Sequence, residues 1–297
     1  MVANETPFTT REKEAILTQF PSLGLPRDPE SHKGTHGSIG VLGGGSGMTG
    51  APILASMAAL KLGAGKVFIG FNQDTLPMPY IASMPELMLY TAKELIVEFR
   101  DSMNAWIVGP GLSQCAEARR ILQQVLFHNN VPIVLDADAL NLINRRQWVP
   151  REEGMTILTP HPKEAAQLLS STTEIVQANR ETAALQLAKT YRAIVVLKGP
   201  KTLIAYQDKI IWQNPSGNAG LATAGTGDVL AGIIGSLLVQ GVPPLEAVPA
   251  AVWIHGKAAD IIVSKGIGPI GLTASEIIPF ARLIRNALTN PSEPHVV

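Results

Sequence analysis

The chain has a single cysteine, no excess of either charge and no apolar run long enough to cross a bilayer. Each absence removes a class of function. Cys115 can form no internal disulfide and has no companion for a thiolate metal site, which fits a reducing compartment. Lys plus Arg and Asp plus Glu balance at 24 each, so no long-range field draws the chain to nucleic acid or to an anionic membrane. The opening MVANETP lacks the basic start and apolar core of a secretory signal. The most apolar stretch, 229–239, is far shorter than the roughly 20 residues that span a bilayer. A cytoplasmic protein with neither a nucleic-acid nor a membrane partner is expected. Low-complexity segments, Gly/Ser linkers and internal repeats are missing too, so the 297 residues read as one domain with a sizeable core.

What is present is alternation. Apolar β-branched runs recur at 38–42, 66–71, 105–108, 132–135, 156–158 and 193–197, with helix-length stretches between most of them. This pattern predicts an α/β fold whose mainly parallel central sheet carries helices on both faces. Helices are expected at 51–62, 163–169 and 229–239. Residues 1–22 read as an N-terminal helical arm, set off by Pro21 and Pro26, and residues 23–297 as the domain proper.

The densest signal runs from 214 to 241, where a glycine-rich loop meets an apolar helix with one acid, Asp228, at the join. Small residues allow close backbone approach, and a helix start offers unpaired N–H groups to an anion. A carboxylate there would repel a phosphate, so Asp228 is either a working group in phosphoryl chemistry or a helix cap. Gly45–Gly50, with Asp74 further on, resembles a dinucleotide fingerprint, a pattern that also arises by chance in glycine-rich chains. No Lys-Ser or Lys-Thr pair closes that glycine run, which excludes a P-loop. Gly109-Pro110-Gly111 stands where a ligand loop belongs, or is a plain turn. Asp136 and Asp138 follow a strand, and alternation points them to one side, to hold a cation or orient a ligand, unless Asp138 caps the next helix. In TPHPKE, 159–164, two prolines would fix His161, and Glu164 is a first-turn acid. Lys198-Gly199-Pro200-Lys201-Thr202 is a turn in a hairpin context.

Together these segments resemble the NAD(P)H-hydrate dehydratase family of the ribokinase-like fold. The similarity is carried by KGTHGSIGVLGGGSGMTGAPILASMAALKLGAGKVFIG at 33–70, VGPG at 108–111, LDADALNLI at 135–143 and LTPHPKEAAQLL at 158–169. It continues through LKGPKTLIA at 197–205, NAGLATAGTGDVLAGIIGSLLVQG at 218–241, HGKAAD at 255–260 and GLTASEII at 271–278. Sugar and vitamin kinases of the same fold share the stretch 225–228 but commonly carry Asn where this chain has His161. Met48 stands where an aromatic residue is common in the family, and Ser236 where glycine is frequent.

The resemblance implies repair of C6-hydrated NADH or NADPH, with ADP as phosphoryl donor, ATP as the alternative, and Mg²⁺. A small-alcohol kinase and a non-catalytic dinucleotide-binding module are the competing readings. By the family pattern the hydrate lies against Ala51, Gly111, His161 and Asp228, and the nucleotide against Lys198, Gly199, Pro200, Lys201, Thr202 and Gly227. Asp228 is then the base, and the amides of Ala224, Gly225, Thr226 and Gly227 form an anion hole. Glu164 and Asp136 are the candidates to organise the metal. The resemblance also implies a homotetramer and a separate hydrate epimerase acting on the same substrate.

Overall fold

Runs of Val, Ile and Leu without polar alternation suit strands covered on both faces, and the central strands are of this kind. The computed structural model describes residues 7–128, 130–143, 148, 151–152 and 154–289. Its strands are β1 (Ser38–Gly43), β2 (Lys66–Phe71), β3 (Met88–Thr91), β4 (Ala105–Val108), β5 (Ile133–Leu135), β6 (Thr156–Leu158), β7 (Ile194–Leu197), β8 (Leu203–Tyr206) and β9 (Lys209–Gln213). The helices are α1 (Thr10–Gln19), α2 (Gly50–Lys61), α3 (Ala92–Phe99), α4 (Ala116–His128), α5 (Asp138–Leu142), α6 (Pro162–Leu169), α7 (Thr173–Ala178), α8 (Arg180–Tyr191), α9 (Thr226–Val239), α10 (Pro244–Ser264) and α11 (Ala274–Thr289).

The strands form one sheet in the order β3-β2-β1-β4-β5-β6-β7-β8-β9. All pairings from β3 to β7 are parallel, and β8 and β9 close the edge as antiparallel hairpin strands. One apolar layer fills the space between the sheet and α2, α9, α10 and α11. A second lies under α3, α4, α6 and α8 on the opposite face. This is the expected α/β layering. Strands β3 and β9 and most of the helices are additions to the sequence reading. Pro249 and Pro279 lie inside α10 and α11, where proline removes a backbone hydrogen bond, so a proline-based reading passes over both helices.

Helices α2 and α9 approach closely because α9 presents Gly232, where any Cβ would collide with the Ala55 carbonyl. The contact is also polar. Buried Ser236 donates to the Ala59 carbonyl at 2.8 Å and receives Gln240 Nε2 at 3.1 Å, so the serine bonds two elements together. The arm is fastened as well: Phe8 stacks near Trp253, Phe20 against Trp212, and Glu246 accepts from both the backbone and the hydroxyl of Ser22.

Candidate active site

The strand order reverses between β1 and β4, and ligands in open α/β sheets bind outside the carboxyl ends of strands at such a point. The loops leaving these strands are bonded to each other: Gly44 N–H donates to Pro110 O at 3.0 Å and Gly45 N–H to Gly111 O at 2.7 Å. Gly109 adopts φ +126°, and a Cβ there would run into the Asp136 carbonyl, so only glycine lets β4 and β5 end side by side. The result is a cleft of about 520 Å³ bordered by Met48, Ala51, Gly111, Asp138, Glu164, Gly225 and Asp228. Two glycine-rich segments distant in sequence thus share one opening.

Asp228 does not cap. Helix α9 begins at Thr226, three residues before the expected start, and its N-cap is Gly225 at φ +89° with no side-chain cap bond. Asp228 therefore occupies the third helical position, half-buried at the edge of the cleft. No hydrogen bond reaches its carboxylate among the described residues. Burial pushes its pKa up to about 7; Asp136 adds to the rise and Lys198 opposes it. A carboxylate poised there, beside the N–H groups of Ala224, Gly225 and Gly227, while that of Thr226 donates to Thr223 O at 3.4 Å, is suited to exchange a proton next to a transferring anion.

Lys198 and Asp136 form a buried pair beneath that helix start. Lys198 Nζ lies 2.8 Å from Asp136 Oδ1, and the same oxygen receives Thr159 Oγ1 at 2.7 Å. Burial alone would lower the lysine pKa, but Asp136, Glu164 and Asp228 outweigh it and the ammonium is held charged. A Cβ on Gly227 would sit 3.3 Å from Nζ and 3.8 Å from Asp136 Oδ2. Glycine at 227 keeps the space above the pair open. The rest of the 198–202 turn is pinned from behind by Arg180, whose guanidinium donates to the carbonyls of Leu197, Lys198 and Pro200. Thr202 Oγ1 donates to Gly199 O at 2.9 Å.

His161 is the N-cap of α6. Its Nδ1 accepts Glu164 N–H at 3.2 Å, while Glu164 Oε2 accepts His161 N–H at 2.8 Å, a reciprocal box in which Pro162 supplies the first helical residue. His161 Nε2 lies 3.3 Å from Glu164 Oε1. The imidazole is thus held at Nδ1, with Nε2 beside the Glu164 carboxylate, and burial, followed by the nearby Lys198, lowers its pKa. Burial pushes Glu164 up to about 7, against the pull of Lys198.

The alternation argument for Asp136 and Asp138 fails in the structure. Ala137 takes φ +49° and ψ −120°, breaking the strand geometry, and the two side chains part. Asp136 turns to Lys198, while Asp138 Oδ2 accepts Ser113 N–H at 2.8 Å and its Oδ1 Gln114 Nε2 at 3.2 Å. Asp138 is the first residue of α5 and does not cap it. Arg180 lies in no motif, and the cleft residue Asn141, though inside the 135–143 stretch, receives no role from the sequence; both are absent from the sequence-derived set. A basic residue in the first turn of a helix has many other uses, so only coordinates reveal the role of Arg180.

Among the described residues no cluster of three or more ligating side chains exists. Mg²⁺ needs fewer, because it keeps several waters and is commonly bound by phosphate oxygens with one or two carboxylates. Asp136 has Oδ1 engaged and Oδ2 turned toward Gly227, and Glu164 borders the cleft. The donor set suits an ion brought in with phosphate. It does not suit a resident metal cage.

A reversal-point cleft roofed by a glycine-rich helix start defines an α/β protein equipped to handle phosphoryl groups. Comparison with known proteins narrows this. A sequence model of the NAD(P)H-hydrate dehydratase family matches residues 39–279, and the chain belongs to that family. It is 51% identical to an ADP-dependent (S)-NAD(P)H-hydrate dehydratase of Neisseria meningitidis serogroup B, covering 94% of this chain and 95% of that one. A bifunctional NAD(P)H-hydrate repair enzyme of Escherichia coli is 36% identical over 88% of this chain, which spans 50% of that longer protein. Among solved structures, the Bacillus subtilis ADP/ATP-dependent NAD(P)H-hydrate dehydratase co-crystallised with ATP and Mg²⁺ superposes with a TM-score of 0.80 at 31% identity, covering 96% of this chain and 100% of that one. A ribokinase-like superfamily protein from Enterococcus faecalis gives 0.79 at 26% identity, covering 92% and 95%. The ribokinase-like fold is thereby established.

Proposed function

We propose that the protein restores NADH or NADPH from the C6-hydrated form, using ADP as phosphoryl donor. The observation that carries this reading is the placement of Asp228: uncapping, half-buried, titrating near 7, and directly beside the amides at the start of α9. Hydroxide is a poor leaving group. Asp228 takes the proton of the C6 hydroxyl as its oxygen attacks the terminal phosphorus of ADP, and the N–H groups of Ala224–Gly227 offset charge on the phosphoryl oxygens while AMP departs. The ring nitrogen lone pair then expels phosphate, and loss of the C5 proton restores the dihydronicotinamide. Atoms balance as hydrate plus ADP giving NAD(P)H, AMP and phosphate.

The hydrate would lie against Ala51, Gly111, His161 and Asp228, and the donor against the 198–202 turn and Gly227. His161 orients in this scheme, since Glu164 already engages its Nδ1 and lies beside its Nε2. Lys198, charged and facing the space over Gly227, would meet donor phosphates. Mg²⁺, when bound with the donor, would neutralise phosphate charge, with Glu164 and Asp136 Oδ2 as its protein partners. ATP can replace ADP in the same scheme. A separate epimerase supplying the reactive epimer, and assembly as a tetramer, belong to the same proposal; the E. coli relative named bifunctional supports the first.

The test is incubation with hydrated NADH and either nucleotide, following dihydronicotinamide absorbance and phosphate release together. Coupled appearance of both supports the reading. A stable phosphorylated product without NADH would make the protein a kinase instead.

A further inference from the structure

The segment HGKAAD at 255–260 lies on α10, outside the cleft, and the mechanism above makes no use of it. Its acid nevertheless touches the catalytic loop. Asp260 Oδ2 accepts Gly217 N–H at 2.9 Å, and Oδ1 accepts Asn218 Nδ2 at 2.9 Å. Asn218 Oδ1 in turn accepts Gly220 N–H at 3.0 Å. From there the bonds run on: Thr223 Oγ1 donates to Gly220 O at 3.1 Å, and Thr226 Oγ1 donates to Thr223 O at 3.0 Å and Leu221 O at 2.8 Å. The chain ends on the first residue of α9, two before Asp228. His255, on the same helix, is buried close to the Thr226 backbone. Gly256 permits the contact, because any Cβ there would strike Ser216.

We propose that Asp260, through Asn218, is the positioning residue that sets the amides of 224–227 and the Asp228 carboxylate for phosphoryl transfer. The proposal deepens the dehydratase reading and rests on it. Its chemical content is donor and acceptor matching. An ionised Asp offers only acceptors, and here two oxygens meet two donors. The amide of Asn218 supplies one donor to Asp260 and one acceptor to Gly220 N–H. Asp260→Asn therefore sets an NH₂ against a donor, and Asn218→Asp sets two carboxylates face to face. The exchange of both residues restores every bond: Asn at 260 accepts from Gly217 and donates to Asp at 218, which still accepts from Gly220.

The experiment compares the parent, D260N, N218D and the N218D/D260N exchange. Each single variant should lose on the order of 10²-fold in kcat, the cost of a small misplacement of reacting groups. KM for ADP should rise far less than kcat falls, because the 198–202 turn, which this network does not reach, keeps its hold on the nucleotide. The exchange should return kcat to within about tenfold of the parent, which a general loss of stability would not predict. Amide hydrogen exchange across 217–227 is measured on the same proteins without substrate, and should be at least about tenfold faster in the single variants than in the parent or the exchange. Parental kcat in a folded single variant overturns the proposal, as do unchanged amide exchange or an exchange variant as slow as the singles. If a single variant fails to fold, the exchange variant decides: near-parental kcat supports positioning and lost kcat in a folded protein overturns it. A parent that cannot restore NADH refutes the dehydratase reading, while amide exchange still decides whether the clamp exists.

Discussion

Asp228 carries opposing demands at a single residue. Its carboxylate is buried enough to titrate near 7, which is unfavourable to folding and useful to a base at neutral pH. The sign is definite: the folded pKa is raised, so the folded state binds more protons than the unfolded one between about 4 and 7, and the group's contribution to stability falls as pH rises across that window. Asp228→Asn is expected to lower kcat on the order of 10²–10⁴-fold while raising Tm by a few degrees at pH 8. Turnover of hydrated NADH and a melting curve check both halves; near-normal turnover would return Asp228 to a structural role. In the parent, kcat should climb with pH through about 7 as the carboxylate ionises, and this acid limb should be absent from the residual activity of the Asn variant. At this scale the sequence was informative about which residue and silent about its state. Glycine spacing marked Asp228, but its third position in the helix, its lack of a capping bond and its proximity to Asp136 depend on strands some 90 residues away in the chain.

Two short elements hold the reactants' flanks, and they are separable. The 198–202 turn is braced by the Arg180 guanidinium at the start of α8. Arg180→Met keeps the aliphatic stem but frees three carbonyls, so KM for ADP should rise about tenfold with the KM of the hydrate little changed, a pattern of lost uniform binding. Equal changes in both would show that the turn serves neither reactant selectively. At α6, His161→Asn preserves an efficient N-cap and removes the imidazole from the substrate side. The expected outcome is weaker hydrate binding with kcat within about tenfold of the parent. Abolished turnover with intact binding would make His161 the proton carrier. Elements flanked by clear punctuation were legible: Pro160 and Pro162 marked the start of α6 to within a residue, and apolar β-branched runs marked the central strands. The Asp136–Asp138 alternation misled because a single residue, Ala137, leaves the extended region. Ser236, a minor family departure in sequence, is a bonded contact between α2 and α9.

For the molecule as a whole, the mainly parallel sheet is as expected from the alternation of strands and helices, which does not by itself set the strand order. What composition could not convey is how firmly the arm belongs to the core. Phe8 and Phe20 are 8% and 1% exposed and pack on Trp253 and Trp212, and burying each is worth about 1.5–3 kcal/mol. We therefore regard residues 7–22 as a strap on the domain, and deleting the chain up to residue 22 should lower Tm by on the order of 10 °C. Activity at low temperature should survive, because the arm does not border the cleft. A Tm within a degree or two of the parent would make the arm dispensable. The cleft itself opens where the winding of the sheet reverses, so its lining comes from stretches far apart in the chain: 47–54, 111, 137–141, 164 and 224–228. With the assignment proposed above, the 47–54 segment meets the hydroxyl-bearing molecule, the 198–202 turn meets its donor, and the start of α9 meets both. Drift in the 47–54 segment leaves the 198–202 turn intact, so a lineage with this fold can change its substrate and its grip on the donor separately while the shared helix start stays fixed.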